Sequence, residues 1–212
     1  VLAFGLGVGF IQLGLDGDKL DPLDQGDEYI PPGMQSAIVF DSRAGVLFSE
    51  EYFYAGFSVD NLVATYMDGH KDRSLLTPTP RPHYYLTAGA LFPMSARFAV
   101  RPSFLLKDDR GGPTSLDLNA FVLLNQRIWL GASYRTGVVL YDKSYLEYDP
   151  KKINAVVGLA EVFVTDQLRI GYAFDYSLNA LRDYNYGTHE LSMGYYIDRE
   201  RRRTAADRCY TF

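Results

Sequence analysis

The chain holds one cysteine, Cys209, in 212 residues, so no intramolecular disulfide framework braces it. Its three histidines, His70, His83 and His189, are dispersed without a close ligand pair, and the spacing of a zinc site is missing. No stretch approaches the roughly 18 consecutive apolar residues of a membrane helix. The opening Val1-Leu2-Ala3-Phe4 has neither the basic region of a signal peptide nor an initiator methionine, and we expect the chain to begin inside a longer protein. Positive charge is also thin: the formal charge is −5 and the only basic run, from Arg199 to Arg203, lies in a terminal tail. Phosphate binding needs concentrated cations, so nucleic acid is not an expected partner.

Catalytic signatures are equally scarce. Gly131-Ala132-Ser133 lacks the Gly-x-Ser-x-Gly elbow. His189 beside Glu190 has the types for acid–base work, but at a strand entrance it reads as a hydrogen-bonded structural histidine. Gly5, Gly7 and Gly9 run into the turn Leu15-Asp16-Gly17-Asp18 rather than a helix, so they cannot form a phosphate cradle. A calcium loop starting at Asp16 would place Leu20 where an oxygen ligand belongs and Asp21 where glycine is needed. These absences predict a protein that is not an enzyme and carries no cofactor or metal.

What is abundant is aromatic side chain and glycine: seventeen Tyr, thirteen Phe and nineteen Gly, a mixture that suits strands. Period-two alternation accounts for most of it. Leu2, Phe4, Leu6, Val8 and Phe10 oppose Ala3, Gly5, Gly7 and Gly9. Near the other end Ile170, Tyr172, Phe174 and Tyr176 oppose Arg169, Gly171, Ala173 and Asp175, and Leu191, Met193, Tyr195 and Ile197 oppose Glu190, Ser192, Gly194 and Tyr196. The same rule predicts further strands over 36–48, 52–60, 83–91, 96–107, 115–124, 127–135 and 152–164, about ten in all. Pro102 lacks an N–H and predicts a bulge or a weak spot in the ladder. Asn125-Gln126 predicts a turn of minimal length.

The connections alternate. Those at 15–35, 61–82, 108–113, 136–151 and 176–186 are the longer set, the first carrying six acidic residues and the second a short helical turn near Asn61 to Met67; those at 49–51, 92–95, 125–126 and 165–166 are tight. Tight turns at one end and longer loops at the other mark an antiparallel outer-membrane β-barrel. Strands of about 9–11 residues suffice to cross the bilayer. The second face, rich in Gly, Ala and Ser with occasional charges, suits a crowded lumen rather than bulk water. Asp41, Arg43, Arg101, Arg135, Asp175 and Glu190 fall on that face, and we expect them to meet there as a mutually neutralised network, because unpaired charge inside is costly. Loop tyrosines, among them Tyr29, Tyr66, Tyr141, Tyr145, Tyr184 and Tyr186, combine contact area with a polar handle and are the expected extracellular contacts.

The segment RIGYAFDYSLNALRDYNYGTHELSMGYY, Arg169 to Tyr196, resembles the C-terminal signature of the PorP/SprF family of outer-membrane proteins of the Bacteroidetes type IX secretion and gliding machinery. Tyr54 to Val59, Tyr84 to Gly89, Arg101 to Lys107 and Trp129 to Arg135 are similar to family blocks in the family's order. The resemblance implies an outer-membrane barrel of about fourteen strands, with about four of them upstream of Val1. It implies help with type IX secretion, and anchoring of a secreted adhesin or its C-terminal sorting domain at the cell surface. The implied partners are that adhesin, other type IX secretion components and outer-membrane lipid. On this reading residues 1–198 are barrel and 199–212 a basic tail. The competing expectation is a barrel that transports a small or fatty solute.

Overall fold

A computed structural model describes residues 1–20, 33–63, 81–143, 154–184 and 186–197. Among them the protein is one antiparallel sheet. Its strands are β1 Leu2–Asp16, β2 Met34–Ser49, β3 Phe53–Asp60, β4 His83–Ala90, β5 Phe92–Ser95, β6 Phe98–Asp109, β7 Ser115–Leu124, β8 Ile128–Gly137, β9 Ala155–Phe163, β10 Leu168–Ser177 and β11 Thr188–Tyr195. Among the described residues helix is confined to 3-10 turns at Gly17–Lys19 and Ala180–Asp183. The strand order is β1-β2-β3-β4-β6-β7-β8-β9-β10-β11, so each strand pairs with its neighbour in sequence, and β5 pairs only with β6. This is the expected all-β meander of ten principal strands. The sheet is open, with β1 and β11 at its edges, and its antiparallel meander topology is consistent with a barrel.

Three local outcomes refine the strand pattern. First, β1 and β2 pair without interruption from Leu2↔Phe48 to Asp16↔Met34, so both run past the ends expected from their apolar alternation. Backbone hydrogen bonding does not need an oily face, and the ladder continues where the alternation stops, closing with Gly17 N–H donating to Gly33 O at 2.9 Å. Second, β4 and β5 form one line broken at Leu91. Gly89 pairs with Ser103 and Phe92 with Val100 in continuing register, and the lapse falls opposite Arg101 and Pro102. On its other side Pro102 sits in an unbroken ladder opposite Ala120, as a residue without an N–H must choose. Third, Asn125 and Gln126 both have positive φ, at 49° and 55°, and Arg127 N–H donates to Leu124 O at 3.0 Å. That is a type I′ hairpin turn, whose twist matches the flanking strands.

The register fixes two faces. Leu6, Val46, Phe57, Leu86, Leu106, Leu116, Leu130 and Ile170 share one of them; most of the glycines, hydroxyls and charges of the strands share the other. The apolar face is the exposed one: Phe4 is 78% exposed, Leu118 48% and Leu191 84%. Most buried residues of the strands, including Val39, Asp41, Asp117, Leu123, Trp129 and Phe163, lie on the opposite, inner face, while Val59 is buried on the apolar one. A water-soluble sheet would bury its oily face; this one turns it outward.

Candidate functional site

The inner face is divided along the strand axis. At the end carrying the longer connections it is ionic. Lys107 Nζ donates to Asp117 Oδ2 at 2.8 Å, and Arg135 Nε donates to Asp117 Oδ1 at 2.9 Å. Arg135 reaches on to Asp175 Oδ2 at 3.4 Å. Four side chains from β6, β7, β8 and β10 therefore form one line of alternating sign across the sheet. Asp117 is 7% exposed and takes a cation on each oxygen, so its charge is compensated twice over.

Above this line the chain between β8 and β9 folds onto the turn between β6 and β7. Lys143 Nζ lies 2.7 Å from Asp108 Oδ1, 2.8 Å from the carbonyl oxygens of Asp109 and Gly112, and 3.0 Å from Thr114 Oγ1. Tyr141 OH donates to Asp108 Oδ2 at 2.9 Å, Thr114 Oγ1 donates to Asp108 Oδ1, and the ammonium sits 4.9 Å from the centre of the Tyr141 ring. Burial by itself would lower the Lys143 pKa, but the hydrogen bond and charge of Asp108, assisted by Tyr141, raise it above the ordinary lysine value. Burial, then the hydrogen bond and charge of Asp108, also raise the Tyr141 phenol. The result is a clasp joining two connections through a buried cation.

At the end carrying the tight turns the inner face is aromatic. Leu91, Ala99, Leu123, Trp129 and Phe163 form a buried cluster, with Phe121 and Tyr196 packed against it. Phe121 meets Trp129 edge-on at 6.4 Å, and Phe163 stacks with Tyr196 at 6.5 Å. The Arg101 guanidinium lies 4.8 Å from the Trp129 ring centre and 5.0 Å from that of Phe121. Arg169 lies 6.0 Å from Tyr196 and 3.5 Å from Glu161. Gly131 makes room for this packing: a Cβ there would overlap the Phe121 ring. Beside the cluster is a cavity of about 350 Å³ bounded by Arg101, Phe121, Trp129, Glu161, Arg169 and Glu190 among others.

Of the six charged residues expected to converge, the structure joins Arg135 and Asp175. Arg101 is drawn to the aromatic cluster, and Glu190 borders the cavity from β11. Asp41 is buried on β2 with no hydrogen-bond partner at Oδ1, and Arg43 lies across Gly7 of β1. Sequence reading did not include the hub, Asp117, or its second cation, Lys107. Their signal was present: the Asn125-Gln126 hairpin sets the register that puts Asp117 opposite Arg135. Lys143 had no such signal, because nothing in a loop's sequence says which turn it folds onto. Of the loop tyrosines, Tyr141 joins the clasp, while Tyr184 and Tyr186 are 87% and 91% exposed; Tyr29, Tyr66 and Tyr145 lie outside the described residues, as do most of the acidic loop, positions 64–67 of the expected helical turn and the basic tail. His189 accepts or donates a 2.7 Å hydrogen bond with Tyr172 OH and packs 4.8 Å from Phe174, a structural role on the outward face. Among the described residues no three His, Cys, Asp or Glu side chains converge as metal ligands.

No curated protein and no solved structure matches the chain. The family model described as type IX secretion system membrane protein PorP/SprF matches residues 1–195.

Proposed function

The chain belongs to the PorP/SprF family of type IX secretion system membrane proteins, and from that premise we propose that it is a non-enzymatic, multi-pass outer-membrane barrel that assists secretion and holds a secreted adhesin, or that adhesin's C-terminal domain, at the cell surface. The reading is carried by the inversion of the sheet. An oily face turned outward needs lipid around it, and an inner face on which Lys107, Asp117, Arg135 and Asp175 are tied to one another suits a scaffold better than a solute path. The longer connections would then face outside the cell, with Tyr184 and Tyr186 offering aromatic contacts to the adhesin. The tight turns would face the periplasm and the remaining secretion components. On this reading the residues up to 198 form the barrel and 199–212 a periplasmic tail.

Purification of the tagged protein in detergent, followed by identification of what accompanies it, tests the proposal. We expect an adhesin-sized secreted protein together with other type IX secretion components, and loss of the adhesin from the cell surface on deletion. A steady open pore in planar bilayers, with the adhesin retained on deletant cells, would replace this reading with the transport of a small or fatty solute.

A further inference from the structure

We propose that the residues following β8 form a fixed apolar strap that contacts membrane lipid at the rim of the longer connections. The strap is tied down at both ends. Val138 N–H donates to Thr114 O at 3.1 Å, and Lys143 is buried against Asp108 at 2.7 Å. Between these ties the Tyr141 hydroxyl is held by the same carboxylate at 2.9 Å. What the ties hold out is oily: Val139 is 69% exposed and Leu140 55%, and the Tyr141 side chain is exposed beside them. Fixing two aliphatic side chains in water forgoes the gain that burying them would bring.

Register tells which side of the sheet the strap occupies. Asp108 pairs with Tyr84, two places beyond Leu106↔Leu86, and so belongs to the outward, apolar row; the strap that it holds lies on that side of the rim. Further down the same face Leu118, Tyr134, Val156 and Tyr176 form one cross-strand row of exposed side chains, separated from the strap by the row of Leu116 and Thr136. The strap thus extends the outward apolar surface past Gly137, where β8 ends. Tyr141, with its ring exposed and its hydroxyl tied to a charged group, has the amphipathic form suited to the boundary between hydrocarbon and headgroups. Continuity with the outward face favours lipid over a protein partner, which would meet a patch set apart by a polar border. The inference rests on the reading that lipid covers the outward face.

The experiment places a nitroxide on single cysteines in the full-length protein, every native cysteine replaced by serine, in nanodiscs. Collision with oxygen, which concentrates in hydrocarbon, is compared with collision with a water-soluble nickel chelate at Val139→Cys, Leu140→Cys, the outward mid-strand Leu130→Cys and the loop position Tyr184→Cys. We expect the oxygen-to-nickel ratio at Val139 and Leu140 to approach that at Leu130 and to exceed that at Tyr184 severalfold. Lys143→Met, which releases the strap, should lower the ratio at Val139 toward the Tyr184 value. Should Lys143→Met fail to fold, Asp108→Asn, which removes the opposing charge, takes its place. A nickel-accessible Leu130 would overturn lipid cover of the outward face and this inference with it. With Leu130 in lipid, a Val139 label as open to nickel as Tyr184, one shielded from both reagents as by a protein partner, or one unmoved by release of the strap would each overturn the inference alone.

Discussion

At the residue scale, two buried charges carry most of the specific polar structure, and they differ in how far they depend on water. Asp117 is buried between two cations that keep about a third of their side-chain surface exposed. Asp117→Asn should therefore destabilise by about 1–3 kcal/mol, less than a fully dry pair would lose. The check is the temperature at which heat-modifiable gel migration is lost. Lys143 is more enclosed, and its pKa is raised in the folded state. A raised pKa means that the clasp's contribution is complete below the unfolded lysine value and is lost as pH rises through the folded one. A spin label at Val139 should accordingly stay immobile from acid-neutral to mildly alkaline pH and loosen only in strong alkali. In Lys143→Met the label should be mobile throughout, with a stability loss of about 1–3 kcal/mol for the abandoned Asp108 hydrogen bonds.

At the scale of the elements, the strands obey a rule that their sequences state openly. Alternation places Leu130 outward and Ser133 inward on β8, and the cross-strand partners Val122 and Asn119 agree. If lipid covers the outward face, Leu130→Arg should cost about 2–4 kcal/mol near mid-bilayer and reduce the amount of protein recovered in the outer membrane. Ser133→Arg, inward and near the ionic line, should cost much less. Equal tolerance of the two substitutions would contradict lipid contact. The turns were legible in the same way. Asn125-Gln126 could be recognised as the minimal hairpin because two residues between strands of right-handed twist require positive φ at both, and Pro102 could be recognised as a ladder break because it has no N–H to give. The ends of β1 and β2 were less legible: hydrogen bonding carried these strands beyond their apolar stretch, where side-chain pattern holds no signal.

At the scale of the whole molecule, the ten-strand path leaves one ladder edge on β1 and another on β11. Open edges of long apolar strands invite pairing with other chains, and a closed barrel removes them. In the membrane-embedded full-length protein the amides of β1 and β11 should exchange with deuterium as slowly as those of β7. Fast exchange confined to the two edge strands would mean that the sheet stays open. The two-part interior fits a closed wall: ion pairs at the end of the longer connections and an aromatic cluster at the end of the tight turns stiffen opposite rims of the same sheet.

The residue order alone determined the all-β class, the number of principal strands, the face on which each side chain lies and the family, because all of these follow from local periodicity, turn chemistry and blocks of adjacent residues. It did not determine which charges on the inner face meet. Alternation assigns a face but not a height along the strand, so Asp41, Arg101 and Glu190 shared a face with Arg135 and Asp175 without sharing their line of ion pairs. Height comes from register, and register from the whole set of hairpins taken together. Only the tertiary structure could therefore make Asp117 the hub, lay Arg101 against Trp129, and bring Lys143 from one loop into the turn of another.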